Sequence, residues 1–367
     1  MAKYKKRADG RYLAQVKIGY QDNGKPRYKN IYANSQTALD KKVTEYKSLV
    51  NKGIIIDDHN MSVGEWADSW LEIYKTNIGY NTKIRYVHII NKQIKPYIGT
   101  VKLGKLKLAE VQALINQMAP KYSYSSMKKV KETLNQMYKQ AIRNGLVYRN
   151  PADGVQIPQK PPLERKPLAE GDISKLTFFC RTYRYGAFIM TLLYTGLRRG
   201  EIAALTWDDI DFEKNTITIN KAVEFRNNQP FIKPPKTKKG NRIIPLLSAL
   251  RPYLLDLKAN AASNTVFVNA HNLPHTDTSI KKLWDNFLKE YNRFLDNNTV
   301  KVKFTMHQFR HTYATLLYNA GVDVKTAQEF LGHSSINITL DIYTHLEEKT
   351  REKGARKLDD FISSNLA

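Results

Sequence analysis

Residues 305–345, TMHQFRHTYATLLYNAGVDVKTAQEFLGHSSINITLDIYTH, superimpose a polar pattern on a helical one, and the two together decide what this chain can be. Thr305 and Gln308 form a capping-box pattern, so a helix is expected to start at Thr305 with Phe309, Tyr313, Leu316, Leu317 and Ala320 as its apolar stripe. Asp323 can cap a second helix through Val324, Ala327 and Leu331 to Gly332, a place suited to a left-handed closing residue. Ile336, Leu340 and Tyr343 fall at i, i+4 and i+7 of a third, where periodicity alone reads Tyr343 as a buried aromatic. The polar residues follow a different rule. His307 and Arg310, three apart, share a face other than the apolar stripe and are expected to point away from the core, His307 in a first turn that would welcome a phosphate. His333 falls at the turn after the second helix. Cations, imidazoles and a phenol gathered around one point suit a phosphodiester.

Working upstream, residues 186–194 read as an apolar helix broken at Thr195-Gly196, and Leu197-Arg198-Arg199-Gly200-Glu201 leads a second short helix to Trp207. An arginine at a helix start opposes the macrodipole unless an anion sits there, so either Arg198 is one half of a phosphate site, or Arg198 or Arg199 is a surface cation paired to Glu201. The period then switches to two: residues 216–223, 231–233 and 242–246 read as three strands, with Lys236-Thr237-Lys238-Lys239-Gly240-Asn241 as the tip between the last two. A lysine on such a tip is either a solvated charge or a proton donor reaching into a groove. Trp284 and Phe287, within a mostly helical stretch from 250 to 295, are at core spacing.

The other half of the chain supplies the partner. Across 367 residues, 59 Lys and Arg against 34 Asp and Glu leave a formal charge of +25, which calls for a polyanion. Residues 1–52 hold 13 basic and 4 acidic residues, a net of +9. There, alternation at 12–18 and 27–32 around Asp22-Asn23-Gly24-Lys25 predicts a hairpin, and Leu39, Val43, Tyr46 and Val50 the apolar stripe of a following helix capped by Ser35. A small sheet on one helix suits a DNA groove. From Met61 the pattern turns helical, over a stripe through Trp66 and Trp70, then 80–95 ended by Pro96 and Gly99, 107–118 ended by Pro120, and 123–144 ended by Gly145, a bundle with a basic surface. Pro158, Pro161, Pro162 and Pro167 in IPQKPPLERKP mark an extended linker. The expected domains are therefore 1–55, 61–157 and 168–367, with 158–167 as the linker.

Other chemistries fit less well. One cysteine, Cys180, excludes a disulfide framework and a cysteine zinc site. His307 and His311 with His333 have a zinc-like spacing, but Gln308 replaces the glutamate of a zinc protease and Arg310 stands between the imidazoles. Asp208, Asp209 and Asp211 could suggest a two-metal nuclease, yet acidic residues are ordinary at the helix-to-strand turn they occupy. No metal or cofactor is expected. No run approaches membrane length, and a soluble cytoplasmic protein is the default.

Arg198 in TGLRRGE, His307 and Arg310 in HQFRHTYAT, His333 in LGHSS and Tyr343 in DIYTH occur in the order and approximate spacing of the tyrosine recombinases, the phage integrase family, which this chain resembles. The N-terminal module is similar to the arm-site-binding domain of integrases from conjugative transposons and prophages of Gram-positive bacteria, and is lacking in the otherwise similar Xer-type resolvases. The resemblance implies a multidomain, mainly α fold with small β-sheets. It has an N-terminal three-stranded sheet plus helix, a helical core-site-binding bundle and a mixed α+β catalytic domain ending in a helix, with Leu358, Phe361 and Ile362 at i, i+3 and i+4, that docks on a neighbouring protomer or, in the alternative, folds back on its own domain. It implies integration and excision of a mobile element or prophage through a 3′-phosphotyrosyl intermediate. Tyr343 would be the nucleophile, His307 the base, Arg198 and Arg310 the clamp on the non-bridging oxygens, His333 a further donor and Glu201 an accessory that orients its neighbours. Lys236 would be the acid, with Lys238 and Lys239 as alternatives on the same tip. The implied partners are double-stranded DNA at core and arm sites, three further copies in a homotetramer, an excision factor and a host DNA-bending protein, at the bacterial nucleoid. A Xer-like dimer resolvase, a type IB topoisomerase and a catalytically inactive DNA-binding regulator are the competing readings.

Overall fold

The computed structural model describes residues 4–20, 25–51, 61–159, 167–235, 240–295, 301–347 and 362–363. It divides into two compact units, 1–162 and 163–367.

In the first unit, β1 (Lys5–Lys6), β2 (Tyr12–Tyr20) and β3 (Pro26–Ala33) form an antiparallel sheet in that order, followed by α1 (Gln36–Asn51). The register pairs Leu13 with Tyr32 and Ala14 with Ile31. Period-two alternation therefore sends Ala14, Val16 and Ala33 into a small core with Leu39 and Val43 of α1. The opposite face carries Gln15, Asn30 and Tyr28, and the Arg7 and Arg11 guanidiniums lie 5.4 and 5.2 Å from the Tyr32 ring centre. The expected turn at Asp22–Gly24 lies outside the described residues.

The bundle is α2 (Val63–Tyr74), α3 (Tyr80–Ile89), a π-helical turn (Ile90–Ile94), α4 (Lys95–Ile98), α5 (Leu108–Met118) and α6 (Tyr124–Arg143). Ser62 caps α2 in a reciprocal box with Glu65, and Trp66 and Trp70 are buried at its centre, with Trp66 Nε1 donating to the Met137 carbonyl at 3.0 Å. Pro96 does not end the third helix as expected. The ladder widens to i→i−5 just before it, Lys95 N–H reaching the Ile90 carbonyl, and the chain continues helical to Ile98. Pro161 and Pro162 of the expected linker lie outside the described residues.

The second unit begins with α7 (Glu170–Cys180), α8 (Gly186–Thr195), α9 (Arg199–Ala204) and a short 3₁₀ turn. The strands follow: β4 (Ile210–Asp211), β5 (Thr216–Ile219), β6 (Ala222–Arg226), β7 (Gln229–Lys233) and β8 (Arg242–Pro245). Helices α10 (Arg251–Ala259), α11 (Asp277–Phe294), α12 (Met306–Asn319), α13 (Val324–Leu331) and α14 (Ile336–Glu347) complete it. Two readings of the strand region need correction. The single strand expected over 216–223 is two, because Lys221 turns out of line to donate to both Asp209 oxygens at 2.6 and 2.5 Å, so β5 joins a sheet of order β4-β5-β8 and β6 pairs with β7. The ribbon β6-β7 turns at Asn227-Asn228, both left-handed, as a two-residue hairpin requires. Among the described residues β7 and β8 lie in different sheets, so they do not pair with each other as the two strands of a hairpin. Lys236, Lys238 and Lys239 themselves lie outside the described residues, as do Leu358 and Phe361 of the expected docking helix, of which residues 362–363 are helical.

A large core runs through Leu192, Ile202, Ile217, Trp284, Phe287 and Phe309. A second, smaller one contains Tyr313, Leu317, Leu331 and Tyr343. The chain passes between the two cores along α12, so a helix that is apolar on one face also holds polar groups at fixed height beside the end of α13.

Candidate active site

Helix α13 ends where Gly332 takes the left-handed conformation, at φ 63°; the Gly332 and His333 N–H groups close onto Glu329 and Gln328, leaving the carbonyls of Phe330, Leu331 and Gly332 to other partners. Three arginines from three other elements take them. Arg242 Nε of β8 donates to the Phe330 carbonyl at 2.8 Å, Arg310 of α12 donates to that of Leu331, and Arg198 Nη2, at the start of α9, to that of Gly332 at 3.0 Å. The negative end of a helix dipole is thus the common anchor of three cations. Arg310 also reaches the Gly196 carbonyl at 2.8 Å, the left-handed residue that closes α8 against the Tyr313 ring.

Glu201 compensates part of this charge. It is 5% exposed, bonds Arg198 Nη1 at 2.8 Å and Arg242 Nη2 at 2.9 Å, and accepts from its own helix's N-cap, the Arg198 N–H, at 2.9 Å. Burial alone would raise its carboxyl, but the Arg242 guanidinium and then Arg198 hold it down at about 2. Arg310 is only 4% exposed, which corrects the expectation that it points away from the core: carbonyls 114 and 21 residues distant in sequence replace its water. Burial and then the Arg198 charge lower it to about 9, so it stays cationic at neutral pH. Arg198 is different, its side chain 45% exposed. It lines a cavity of about 290 Å³ with Gly200, Lys233, Gly332 and Ser334. Three guanidiniums against one carboxylate leave an excess of positive charge beside that cavity, which an anion with two free oxygens would satisfy.

His333 follows Gly332 directly. Its Nδ1 lies 2.9 Å from the hydroxyl of fully buried Thr339, and its carbonyl accepts from Gln328 Nε2 at 3.0 Å. Burial, then Arg310 and Arg198, push the imidazole down to about 3, leaving it neutral across the physiological range. In the tautomer in which Thr339 donates to Nδ1, the other ring nitrogen carries the proton and is a donor.

The remaining candidates are not all gathered here. His307 lies exposed in the first turn of α12, capped by Thr305 as expected, with its ring 4.7 Å from that of His311. Tyr343 is 4% exposed in the smaller core. Its hydroxyl donates to the Val322 carbonyl at 3.1 Å, its ring meets Tyr318 edge-on at 5.1 Å, and burial and then Asp323 raise the phenol to about 12. Arg199, the alternative partner for Glu201, instead pairs with Asp277 at 2.6 Å. Sequence patterning does not single out Arg242, though a signal exists. In β8 it alternates with Ile244 on the buried face, and a cation in a core register is a polar group in need of a partner.

Comparison with known proteins places the chain in the class of the tyrosine recombinases, enzymes that cut and rejoin DNA. Within it the chain belongs to the phage integrase family, which matches residues 166–350, while the phage integrase N-terminal SAM-like domain matches residues 62–119. The chain is 27% identical to a XerC-like tyrosine recombinase of Caldanaerobacter subterraneus subsp. tengcongensis, over 98% of both chains. It is 26% identical to the transposase from transposon Tn916 of Enterococcus faecalis, over 92% of this chain and 89% of the relative. Among solved structures, the Tn1549 transposon integrase in complex with transposon right end DNA superposes with a TM-score of 0.72 at 24% identity, over 82% of this chain and all of that one, a likeness of fold.

Proposed function

We propose that this recombinase integrates and excises a mobile element at defined DNA sites through a 3′-phosphotyrosyl intermediate. The observation that carries it is the convergence of Arg198, Arg310 and neutral His333 on the end of α13, with Arg198 facing a cavity of about 290 Å³, ample for a phosphate group. Arg198 and Arg310 fork onto the non-bridging oxygens and stabilise the added charge of the pentacoordinate transition state, with His333 as a third donor. Tyr343 attacks phosphorus through its hydroxyl oxygen and gives its proton to His307. The bond from phosphorus to the 5′ oxygen breaks, and Lys236, or Lys238 or Lys239 of the same segment, protonates that oxygen. The phosphotyrosyl ester keeps the energy of the broken one, so rejoining by a 5′-hydroxyl needs no nucleotide cofactor. Four strands are exchanged between two duplexes, which requires four active sites and hence a homotetramer.

Delivery of Tyr343 to the phosphate requires its hydroxyl to leave Val322, so α14 must shift when the nucleophile engages. The separate cores support three functional domains: residues 1–55 for arm sites, 61–157 for core sites and, after the 158–167 linker, 168–367 for catalysis. The polar face of the N-terminal sheet, with Arg7 and Arg11 at its edge, suits a groove. An excision factor and a host DNA-bending protein would set direction, and the nucleoid is the place of action. Among the described residues no helix is long and apolar enough to cross a membrane. The test is a nicked duplex of the attachment site, which traps the covalent complex. We expect an adduct with the parent and none with Tyr343→Phe, and absence of adduct from the parent, or its survival in the variant, would overturn the assignment.

A further inference from the structure

We infer that Arg242 is a positioning residue for DNA cleavage, its one guanidinium holding together the carboxylate behind Arg198, the turn that presents His333 and the root of the lysine segment. This rests on the roles proposed above for Arg198, His333 and Lys236. All three nitrogens of the side chain donate, through four of its five N–H groups. Nε bonds the Phe330 carbonyl at 2.8 Å, Nη1 the Gly240 carbonyl at 3.1 Å and Glu201 Oε1 at 3.3 Å, and Nη2 Glu201 Oε2 at 2.9 Å. Phe330 stands three residues before His333, and Gly240 directly follows the segment 236–239. The three regions are far apart in sequence and have this group in common.

Burying a guanidinium is costly, and an apolar side chain would fill the register of β8 beside Ile244 as well. What an apolar residue cannot supply is a planar fork that addresses three directions at once, and a lysine ammonium cannot supply it either. The fit around the fork is tight. A Cβ on Gly332 would lie 2.9 Å from Arg242 Nη1 and 3.1 Å from its Cζ, so the left-handed glycine admits the guanidinium beneath the turn while its own carbonyl receives Arg198. Arg198 and Arg242 hold opposite sides of one carboxylate. Without Arg242, Glu201 and with it the Arg198 fork are free to shift.

The experiment compares full-length parent, Arg242→Met, Arg242→Lys and Arg198→Ala in single-turnover adduct formation on the nicked site. The scissile linkage is either an ordinary phosphate or a methylphosphonate, in which a methyl replaces one charged oxygen and reduces the demand on Arg198. We expect both Arg242 variants to bind the site as the parent does while forming adduct about 10- to 100-fold more slowly, as for other residues that orient an active group. We also expect that deficit, like that of Arg198→Ala, to shrink on methylphosphonate. Cleavage at the parental rate, an equal deficit on both linkages, or failure of both Arg242 variants to fold overturns the inference, the last two in favour of a purely structural role. If Arg198→Ala itself cleaves normally, the reading of the site has failed. If it is slow and shows the methylphosphonate effect while the Arg242 variants are unimpaired, only the role of Arg242 has.

Discussion

Replacing Glu201 by Gln removes the one carboxylate that Arg198 and Arg242 share, and its consequence can be worked out from the folded geometry. The carboxyl titrates at about 2 in the folded protein against an ordinary 4.5, which favours the folded state by about 3 kcal/mol at neutral pH. The sign is that of a depressed acid. The stabilisation is complete above pH 4.5 and is lost as pH falls towards 2, because the unfolded chain takes up the proton first. Glu201→Gln should therefore unfold about 3 kcal/mol more easily than the parent at pH 7, in the range for breaking a buried ion pair. Near pH 3 the gap should close to less than half of that, since the unfolded carboxyl is by then protonated and the folded one is still ionised. Urea unfolding of the two proteins at pH 7, 5, 4 and 3, followed by tryptophan fluorescence, measures that gap directly, and subtraction cancels the other carboxylates. A gap below about 1 kcal/mol at pH 7, or one that does not narrow with acid, would show that the two arginines are not held by this charge.

Two further outcomes follow from the same corner of the fold. His333 is neutral in the folded protein and titrates near 6.5 when unfolded, so stability should fall with acid below pH 6.5, by about 2 kcal/mol at pH 5. His333→Gln should abolish that component, and unfolding curves that keep the full parental slope between pH 7 and 5 would refute the burial argument. Gly332→Ala combines a left-handed conformation, at φ 63°, with a Cβ 2.9 Å from Arg242, so a loss of about 1–3 kcal/mol in the same assay is expected. A variant as stable as the parent would mean that the turn has room the geometry denies.

Local signals report the elements well and the contacts poorly. Thr305, Asp323 and Gly332 mark helix ends because capping is chemistry between near neighbours, and each sits where its type requires. Strand pairing is not local. The alternation over 216–223 continues across the corner at Lys221, and what separates the two strands is Asp209, twelve residues earlier. Patterning puts Arg310 on the right helix but on the wrong side of the solvent boundary, because its partners lie at Gly196 and Leu331. Arg242 carries a readable clue, a cation in a buried register, that helical and strand periodicities treat as noise. For Tyr343 the two kinds of reasoning diverge. Periodicity reads it as buried and resemblance as a nucleophile, and its hydroxyl sits on Val322 inside the smaller core.

That divergence has a physical basis in how the two halves of the reaction can be prepared. Donors for a developing negative charge are most effective when already oriented, because the protein then does no reorganising as the charge appears. The proposed donors Arg198, Arg310 and His333 meet this condition through the carbonyls, the carboxylate and the Thr339 hydroxyl that hold them. A phenol faces the opposite requirement. Raised to about 12 by burial and donating to a carbonyl, Tyr343 is a poor nucleophile where it stands, and the arginines that would lower it are not among the charges it senses. Moving the ring out of its core forfeits apolar burial and a hydrogen bond, of the order of 3 kcal/mol together, a cost that contacts made by α14 with bound DNA or a neighbouring protomer could offset. With Tyr343 as the proposed nucleophile, cleavage by a lone protomer is then disfavoured by that amount, while the proposed electrostatic half of the site needs no rearrangement.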